Sequence, residues 1–103
     1  MGTPNQAIRS KIVQGRNPTI YNKTVASKDV EESQTLNNGV KKFMIKCRGN
    51  ANIKLSYIQN ESDTTYITIP KGSVYNEEGL DFSGTIYFQT DLDGQVVEIV
   101  EWI

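Results

Sequence analysis

Apolar and polar residues alternate along the chain in short stretches that are separated by turn-forming residues. Between residues 40 and 48, Phe43, Ile45 and Cys47 fall on one face of an extended strand, and Lys and Met residues fall on the other. Similar patterns predict strands at residues 19–25, 30–36, 52–58, 64–69, 73–75, 85–90 and 95–103. No stretch has the period of an amphipathic helix. We therefore expect an all-β fold, a small antiparallel β-sandwich of the jelly-roll type with an extended N-terminal arm.

Turn residues lie between the predicted strands. Asn38-Gly39 is a strong turn signal because both residues tolerate positive φ. Residues 91–94, Asp-Leu-Asp-Gly, predict a hairpin turn before the last strand. Residues 76–79, Asn-Glu-Glu-Gly, predict a loop after a very short strand at 73–75.

The charges divide the chain into two parts. Residues 1–28 hold five Lys and Arg and no Asp or Glu, whereas residues 29–103 hold six Lys and Arg and all twelve Asp and Glu. This asymmetry predicts a basic extended arm at residues 1–28, joined to a β-sandwich domain at residues 29–103. There is no apolar run near 18 residues and no apolar N-terminal segment, so we expect neither a transmembrane helix nor a secretion signal.

The residue types exclude several kinds of catalytic site. The chain has no His, which removes Ser-His-Asp and Cys-His catalysis and His-ligated metals. The single cysteine, Cys47, is in phase with buried positions and is expected to be a small core residue. Glycines are scattered, so there is no nucleotide-binding loop. We expect a protein that is not an enzyme and that has no cofactor and no metal.

Two acidic motifs and the aromatic residues need separate consideration. Residues 91–94 resemble the start of a calcium loop, but a third ligand is missing and Glu98 comes too early, so a turn is favoured. Glu77 and Glu78, with Asp81, are expected on a solvated loop. Five aromatic residues could form a sugar platform, although such rings more often pack in a core or an interface; they are Tyr57, Tyr66, Tyr75, Tyr87 and Trp102.

The arm allows three interpretations: a nucleic-acid contact, an assembly arm, or a partly disordered terminus. Its cations are widely spaced and interleaved with Ile and Val, and Tyr21 is its only aromatic residue, which disfavours nucleic acid. An extended cationic segment with apolar residues could lie along an acidic partner or add a strand to a neighbour's sheet. The predicted contact residues are Arg9, Lys11, Ile12, Arg16 and Tyr21.

A resemblance to a known group of proteins rests on the strand sequences between residues 35 and 103. Five stretches are similar to strands of small β-sandwich virion proteins of tailed bacteriophages: residues 41–48 (Lys-Lys-Phe-Met-Ile-Lys-Cys-Arg), 51–57, 66–75 (which include Ile-Pro-Lys-Gly-Ser-Val-Tyr), 85–90 and 96–102. Members of that group serve as capsid decoration, fibre or head–tail joining components. The motifs describe strands and turns and include no catalytic site.

The resemblance implies a structural role in a virion made in the bacterial cytoplasm. The expected function is to attach to the capsid or head–tail region through the arm and to decorate or stabilise the particle. The expected partners are the major capsid protein or other virion proteins, together with further copies in a dimer or trimer; we expect no nucleic acid and no membrane. The alternative is a carbohydrate- or receptor-binding module, which predicts exposed aromatic residues on one face or in the loops at residues 59–65 and 76–81.

Overall fold

The structure is a computed structural model that describes residues 17–103, which fold as two antiparallel sheets of four strands each. The strands are β1 (Pro18–Val25), β2 (Glu32–Thr35), β3 (Val40–Cys47), β4 (Ile53–Ser56), β5 (Ile67–Ile69), β6 (Val74–Phe82), β7 (Thr85–Thr90) and β8 (Gln95–Trp102). Within this part of the chain no helix is long and apolar enough to cross a membrane.

The two sheets have the strand orders β1-β8-β3-β6 and β2-β7-β4-β5. Every connection crosses from one sheet to the other, except the one from β4 to β5, which stays in the second sheet. Eight strands connected in this way form a jelly roll, in which antiparallel neighbours are distant in sequence. The predicted antiparallel β-sandwich is therefore confirmed.

The core lies between the sheets and is built by the alternation that the sequence shows. In β3 the side chains of Phe43 and Ile45 are fully buried, and Cys47 is buried beside them. The buried apolar residues of the other elements are Val25, Leu36, Val40, Ala51, Ile53, Leu55, Ile69, Ile86, Phe88, Val97 and Ile99. Cys47 is thus the core residue that its phase predicts.

The predicted loop at residues 76–79 is wrong, because these residues lie within the nine-residue strand β6. The glycine that suggested a turn lies at a β-bulge instead. Gly79 has φ of +69°, and the pairing between β3 and β6 shifts register between Val40 and Lys42, opposite this glycine. Such a bulge inserts extra residues into an edge strand without ending it. Glu77 and Glu78 therefore belong to a strand and not to a solvated loop.

The predicted hairpin at residues 91–94 is also wrong, since it joins β7 to β8 and these strands belong to different sheets. It is nevertheless a tight turn, with Gly94 at φ +65°. The backbone N–H of Asn52 donates to the carboxylate of Asp91 (2.9 Å), and that of Lys28 donates to Asp93 (2.7 Å). Both carboxylates are used to fix neighbouring loops.

The charge boundary at residue 28 does not coincide with the structural one. Strand β1 pairs with β8 over eight consecutive residues without a register shift, and Val25 is fully buried. Alternate side chains of β1 cover the core, so the strand contributes to the sandwich despite its lack of acidic residues. The sandwich accordingly begins at Pro18, and the predicted arm can apply only to residues that precede it. Residues 1–16 lie outside the described part of the chain.

Candidate functional site

An open groove of about 200 Å³ lies where the chain leaves β4 and returns as β5. Its lining residues are Leu55, Ser56, Tyr57, Ile58, Thr65, Tyr66 and Ile67. Four of these side chains are large, apolar and exposed: 44% for Tyr57, 53% for Ile58, 40% for Tyr66 and 39% for Ile67. Single exposed apolar residues are common on protein surfaces, but a contiguous group in a concave site indicates a contact surface.

The first wall of the groove is held in place by aromatic packing. The Tyr57 ring lies edge-on to Phe43 and Phe82, with ring centroids 6.4 and 5.8 Å apart. This burial of one ring edge raises the pKa of Tyr57, with a smaller effect from the carboxylate of Glu77. Tyr75 packs beside Phe43 and donates its hydroxyl to Glu77. Because these residues come from β3 and β6, Tyr57 is fixed against the other sheet.

The second wall is formed by Tyr66 and is held by a charged pair. The ammonium group of Lys54 lies 4.8 Å from the centre of the Tyr66 ring, and it donates to the carboxylate of Asp63 at 2.8 Å. The hydrogen bond to Asp63 raises the pKa of Lys54. A cation over the ring restricts the orientation of Tyr66.

Hydrogen bonds to Glu31 and Gln89 hold the loop between the two walls in place. The backbone N–H groups of Asn60 and Ser62 donate to the carboxylate of Glu31 at 2.8 and 3.1 Å. Although burial acts in the opposite direction, these hydrogen bonds lower the pKa of Glu31. The Ser62 hydroxyl donates to the amide oxygen of Gln89 at 3.0 Å in a buried position. The groove is consequently a preformed surface.

The groove offers shape and apolar contact but few polar groups. Ser56 and Thr65 are its only non-aromatic polar side chains, and the Ser56 hydroxyl already contacts the backbone of Ile58. Residues 17–103 contain no cluster of His, Cys, Asp and Glu that could hold a metal ion. This arrangement is suited to binding an apolar side chain.

A second unusual feature is the carboxylate of Glu101, which is fully buried near the start of β1. It accepts three hydrogen bonds: from the Tyr21 hydroxyl (2.8 Å), the Asn37 backbone N–H (3.0 Å) and the Asn37 side-chain amide (2.7 Å). We call Glu101, Tyr21 and Asn37 together the β1 anchor. The anchor joins β1, β8 and the connection between β2 and β3 at one point. Its hydrogen-bond donors are needed because a buried carboxylate without them would be costly.

The β1 anchor gives Tyr21, one of the predicted arm contacts, an internal position. Its ring is half-buried, and burial followed by the hydrogen bond to Glu101 raises its pKa to about 12. Its contact with a partner stays a prediction. The other predicted contacts, Arg9, Lys11, Ile12 and Arg16, lie outside the described residues.

The five aromatic residues considered as a sugar platform do not all come together, although Tyr57 and Tyr75 pack against the same ring, that of Phe43. Tyr57 and Tyr66 share the groove, whereas Trp102 is at the end of β8 in the other sheet, with the Lys42 ammonium 4.7 Å from its ring centre. Tyr87, on β7, borders a separate polar depression. Tyr57 and Tyr66 therefore share one groove, whereas Trp102 and Tyr87 lie at other sites of the described sandwich.

Sequence reasoning missed the contribution of Ile58 and Ile67 and the role of Glu101. A signal for the groove was present, since Tyr57-Ile58 and Tyr66-Ile67 repeat the same pair on both sides of a polar loop. No local pattern marks Glu101, because its partners are 64 and 80 residues away in sequence.

The comparisons with known proteins add little to this description. No family model and no curated protein matches the chain. One similar solved structure is a de novo designed double-stranded β-helix, 17% identical, with a TM-score of 0.47 over 82% of this chain and 96% of that one. Another is described as Bacillus endospore appendages that form disulfide-linked pili, 11% identical, with a TM-score of 0.43 over 84% of each chain. Both scores are too low to bear on function.

Proposed function

We propose that the protein is a non-enzymatic structural component of a tailed-phage virion that attaches to the capsid or head–tail region through its N-terminal arm. The sequence resemblance and the basic character of residues 1–16 support this proposal. The observation that carries it is the position of β1. Among residues 17–103, the strand that follows the arm is an edge strand, paired with β8 on one side and bound to the sandwich along its whole length.

This arrangement suits a segment that tethers a folded body to a particle. A force applied to the arm would reach the sandwich at Pro18, which is adjacent to the Thr19–Glu101 residue pair. Eight residue pairs with β8 and the hydrogen bonds of the β1 anchor then resist separation of the strand. Edge strands commonly present unpaired backbone groups to a partner, and the exposed Ile20 lies on this one.

The major capsid protein or another virion protein is the proposed partner, and several copies would occupy equivalent positions around a symmetry axis. Linked or repeated contacts raise the effective concentration of each further contact, so a weak single attachment is sufficient. The protein would be made in the host cytoplasm and carried in the virion.

Deletion of residues 1–16 tests the proposal. This deletion preserves β1, whereas removal of all 28 residues would also remove a strand of the sandwich. We expect the shortened protein to keep its melting temperature and to disappear from purified particles when these are analysed by mass spectrometry. A matched control replaces Arg9, Lys11 and Arg16 by Gln and retains the length. Normal incorporation of the deletion variant would contradict the proposal.

A carbohydrate- or receptor-binding module is the second candidate, because Tyr57 and Tyr66 are exposed beside the predicted loop at residues 59–65. A glycan array with Tyr66→Ala, and with Tyr87→Ala as a control outside the groove, tests it. Loss of a glycan signal in the first variant alone would support this candidate. It is the weaker one, since sugar recognition needs converging polar groups that the groove lacks.

A further inference from the structure

We propose that the groove between β4 and β5 binds residues 8–12 of the N-terminal arm of a second copy of this chain. The inference rests on the proposed role of the arm as the attachment segment, and it names a neighbouring copy as one of the arm's partners. Its basis is the chemistry of the groove, the charges around it, and the length of chain that precedes Pro18.

The side chains of residues 8–12 match the groove lining. The sequence is Ile-Arg-Ser-Lys-Ile, so an extended backbone places Ile8 and Ile12 on one side and the two cations on the other. Two branched aliphatic side chains can fill a groove whose walls are Tyr57 and Tyr66 and whose edges are Ile58 and Ile67. Contacts between apolar side chains need no polar groups, and the groove has few of them.

The charges around the groove favour a cationic segment. The loop between its walls contains Glu61, and Glu77 lies beside Tyr57 and Tyr75, whereas Asp63 is already paired with Lys54. Residues 17–103 as a whole carry twelve Asp and Glu against eight Lys and Arg, whereas residues 1–16 carry three Arg and Lys and no acid. Complementary charge of this kind increases the rate of encounter and fixes the direction of the bound segment.

The length of the arm favours a second copy over the same chain. Strand β1 is at one edge of the first sheet, and contacts of Tyr57 with Phe43 and Phe82 place the groove near β3 and β6, at the other edge. A path around the sandwich spans three strand spacings and the gap between sheets, roughly 25 Å. The six residues from Ile12 to Pro18 reach about 20 Å when fully extended. A copy placed edge to edge avoids this detour.

An arm at one edge and its binding groove at the other form a heterologous contact. Each copy gives its arm to one neighbour and receives the arm of the other, so the contact builds rings or open chains of copies. This is the type of arrangement that a repeated component of a particle requires.

Disulfide trapping between two single-cysteine additions tests the proposal on the full-length chain. One protein carries Ser10→Cys in the arm, and the other carries Thr65→Cys at the exposed rim of the groove; the native Cys47 is buried and remains. We expect a mixed disulfide dimer to form under mild oxidation. A matched control moves the second cysteine to the exposed Thr24 on β1, where we expect no comparable dimer.

Substitutions in the arm separate specific docking from random collision. Ile12→Asp should lower the yield of the mixed dimer roughly 10- to 100-fold, since a buried Ile contributes that much to binding, and Ile12→Val should restore it. Equal yields for Thr65→Cys and Thr24→Cys, or no mixed dimer at all, would overturn the proposal. Exclusive formation of an intrachain disulfide in a Ser10→Cys/Thr65→Cys double variant would show that the arm binds its own groove, and would overturn it too.

The two proposals can fail separately. Loss of particle incorporation on deletion of residues 1–16, combined with no trapped dimer, would leave the attachment role and reject the groove as the binding site. A trapped dimer combined with normal incorporation of the deletion variant would retain the docking and reject the attachment role.

Discussion

The β1 anchor and the groove depart in opposite directions from the usual distribution of residues. At the anchor, the charged Glu101 is fully buried; in the groove, Ile58 and Tyr66 are about half exposed. Buried charges and grouped exposed apolar residues are the two observations that carry information beyond an ordinary core and surface. The first has all its partners within the chain, whereas the described residues leave the second open.

This difference separates an internal role from an external one. The carboxylate of Glu101 is satisfied by hydrogen bonds from Tyr21 and Asn37, so its environment accounts for its burial. The side chains of the groove leave about half of their surface exposed, and this exposed part contributes nothing to the fold. Changes at the anchor should therefore reduce stability, and changes in the groove should reduce association.

The largest effect is expected from Glu101→Ala, which leaves the Asn37 amide groups and the Tyr21 hydroxyl without their acceptor. Hydrogen bonds to a charged group contribute about 1.5–3 kcal/mol each, but Asn37 is exposed and its freed N–H groups can bind water, so we expect the free energy of unfolding to fall by about 3 kcal/mol, measured by urea denaturation. Glu98→Ala is the control on the outer face of the same strand; its ion pairs with Arg48 and Lys46 are screened by solvent and should contribute much less than the buried anchor. Equal losses for the two variants would contradict the internal role of the anchor.

A smaller effect is expected from Tyr21→Phe, which removes one of the three hydrogen bonds to Glu101 and keeps the ring. A hydrogen bond to a charged group contributes about 1.5–3 kcal/mol, and Tyr21 is half-buried, so the loss at neutral pH should be at the lower end, about 1.5 kcal/mol. Tyr87→Phe, on the outer side of β7, provides a control with the same chemical change. An unchanged stability in Tyr21→Phe would show that Asn37 alone satisfies Glu101.

The fold was more predictable from the sequence than the site. Alternation identified β3, β7 and β8 because one face of each strand is buried. The same pattern could not show that residues 91–94 join two sheets, since a tight turn has the same sequence whichever sheet follows. It also could not distinguish a bulge at Gly79 from a loop, because both use a glycine with positive φ. The anchor and the groove depend on tertiary neighbours, which local patterns do not specify.

Alkaline pH should reduce the difference between the wild-type protein and Tyr21→Phe. The pKa of Tyr21 is raised to about 12 in the folded state from an ordinary value of 10. The unfolded chain therefore loses this proton first, and stability that is fully present below pH 10 is lost as the pH rises toward 12. Tyr75, whose pKa is also raised by burial and by Glu77, contributes a further loss in both proteins. Urea titrations between pH 8 and 11.5 measure the difference in free energy of unfolding between the two proteins. If this difference does not change with pH, the coupling of Tyr21 to Glu101 is contradicted.

The smallest change in stability is expected in the groove, where it provides the clearest contrast with the anchor. Ile58→Ser removes an apolar side chain that keeps 53% of its surface exposed, so the free energy of unfolding should change by no more than about 0.5 kcal/mol. The same substitution should reduce self-association in sedimentation velocity, because it removes an edge of the proposed arm site. Leu92→Ser, at a 46% exposed position in the turn between β7 and β8, is the matched control that keeps the groove and β1 intact. A loss of stability as large as that of Tyr21→Phe would mean that Ile58 supports the fold. The groove would then have an internal role, as the anchor does, and the distinction between the two would not hold.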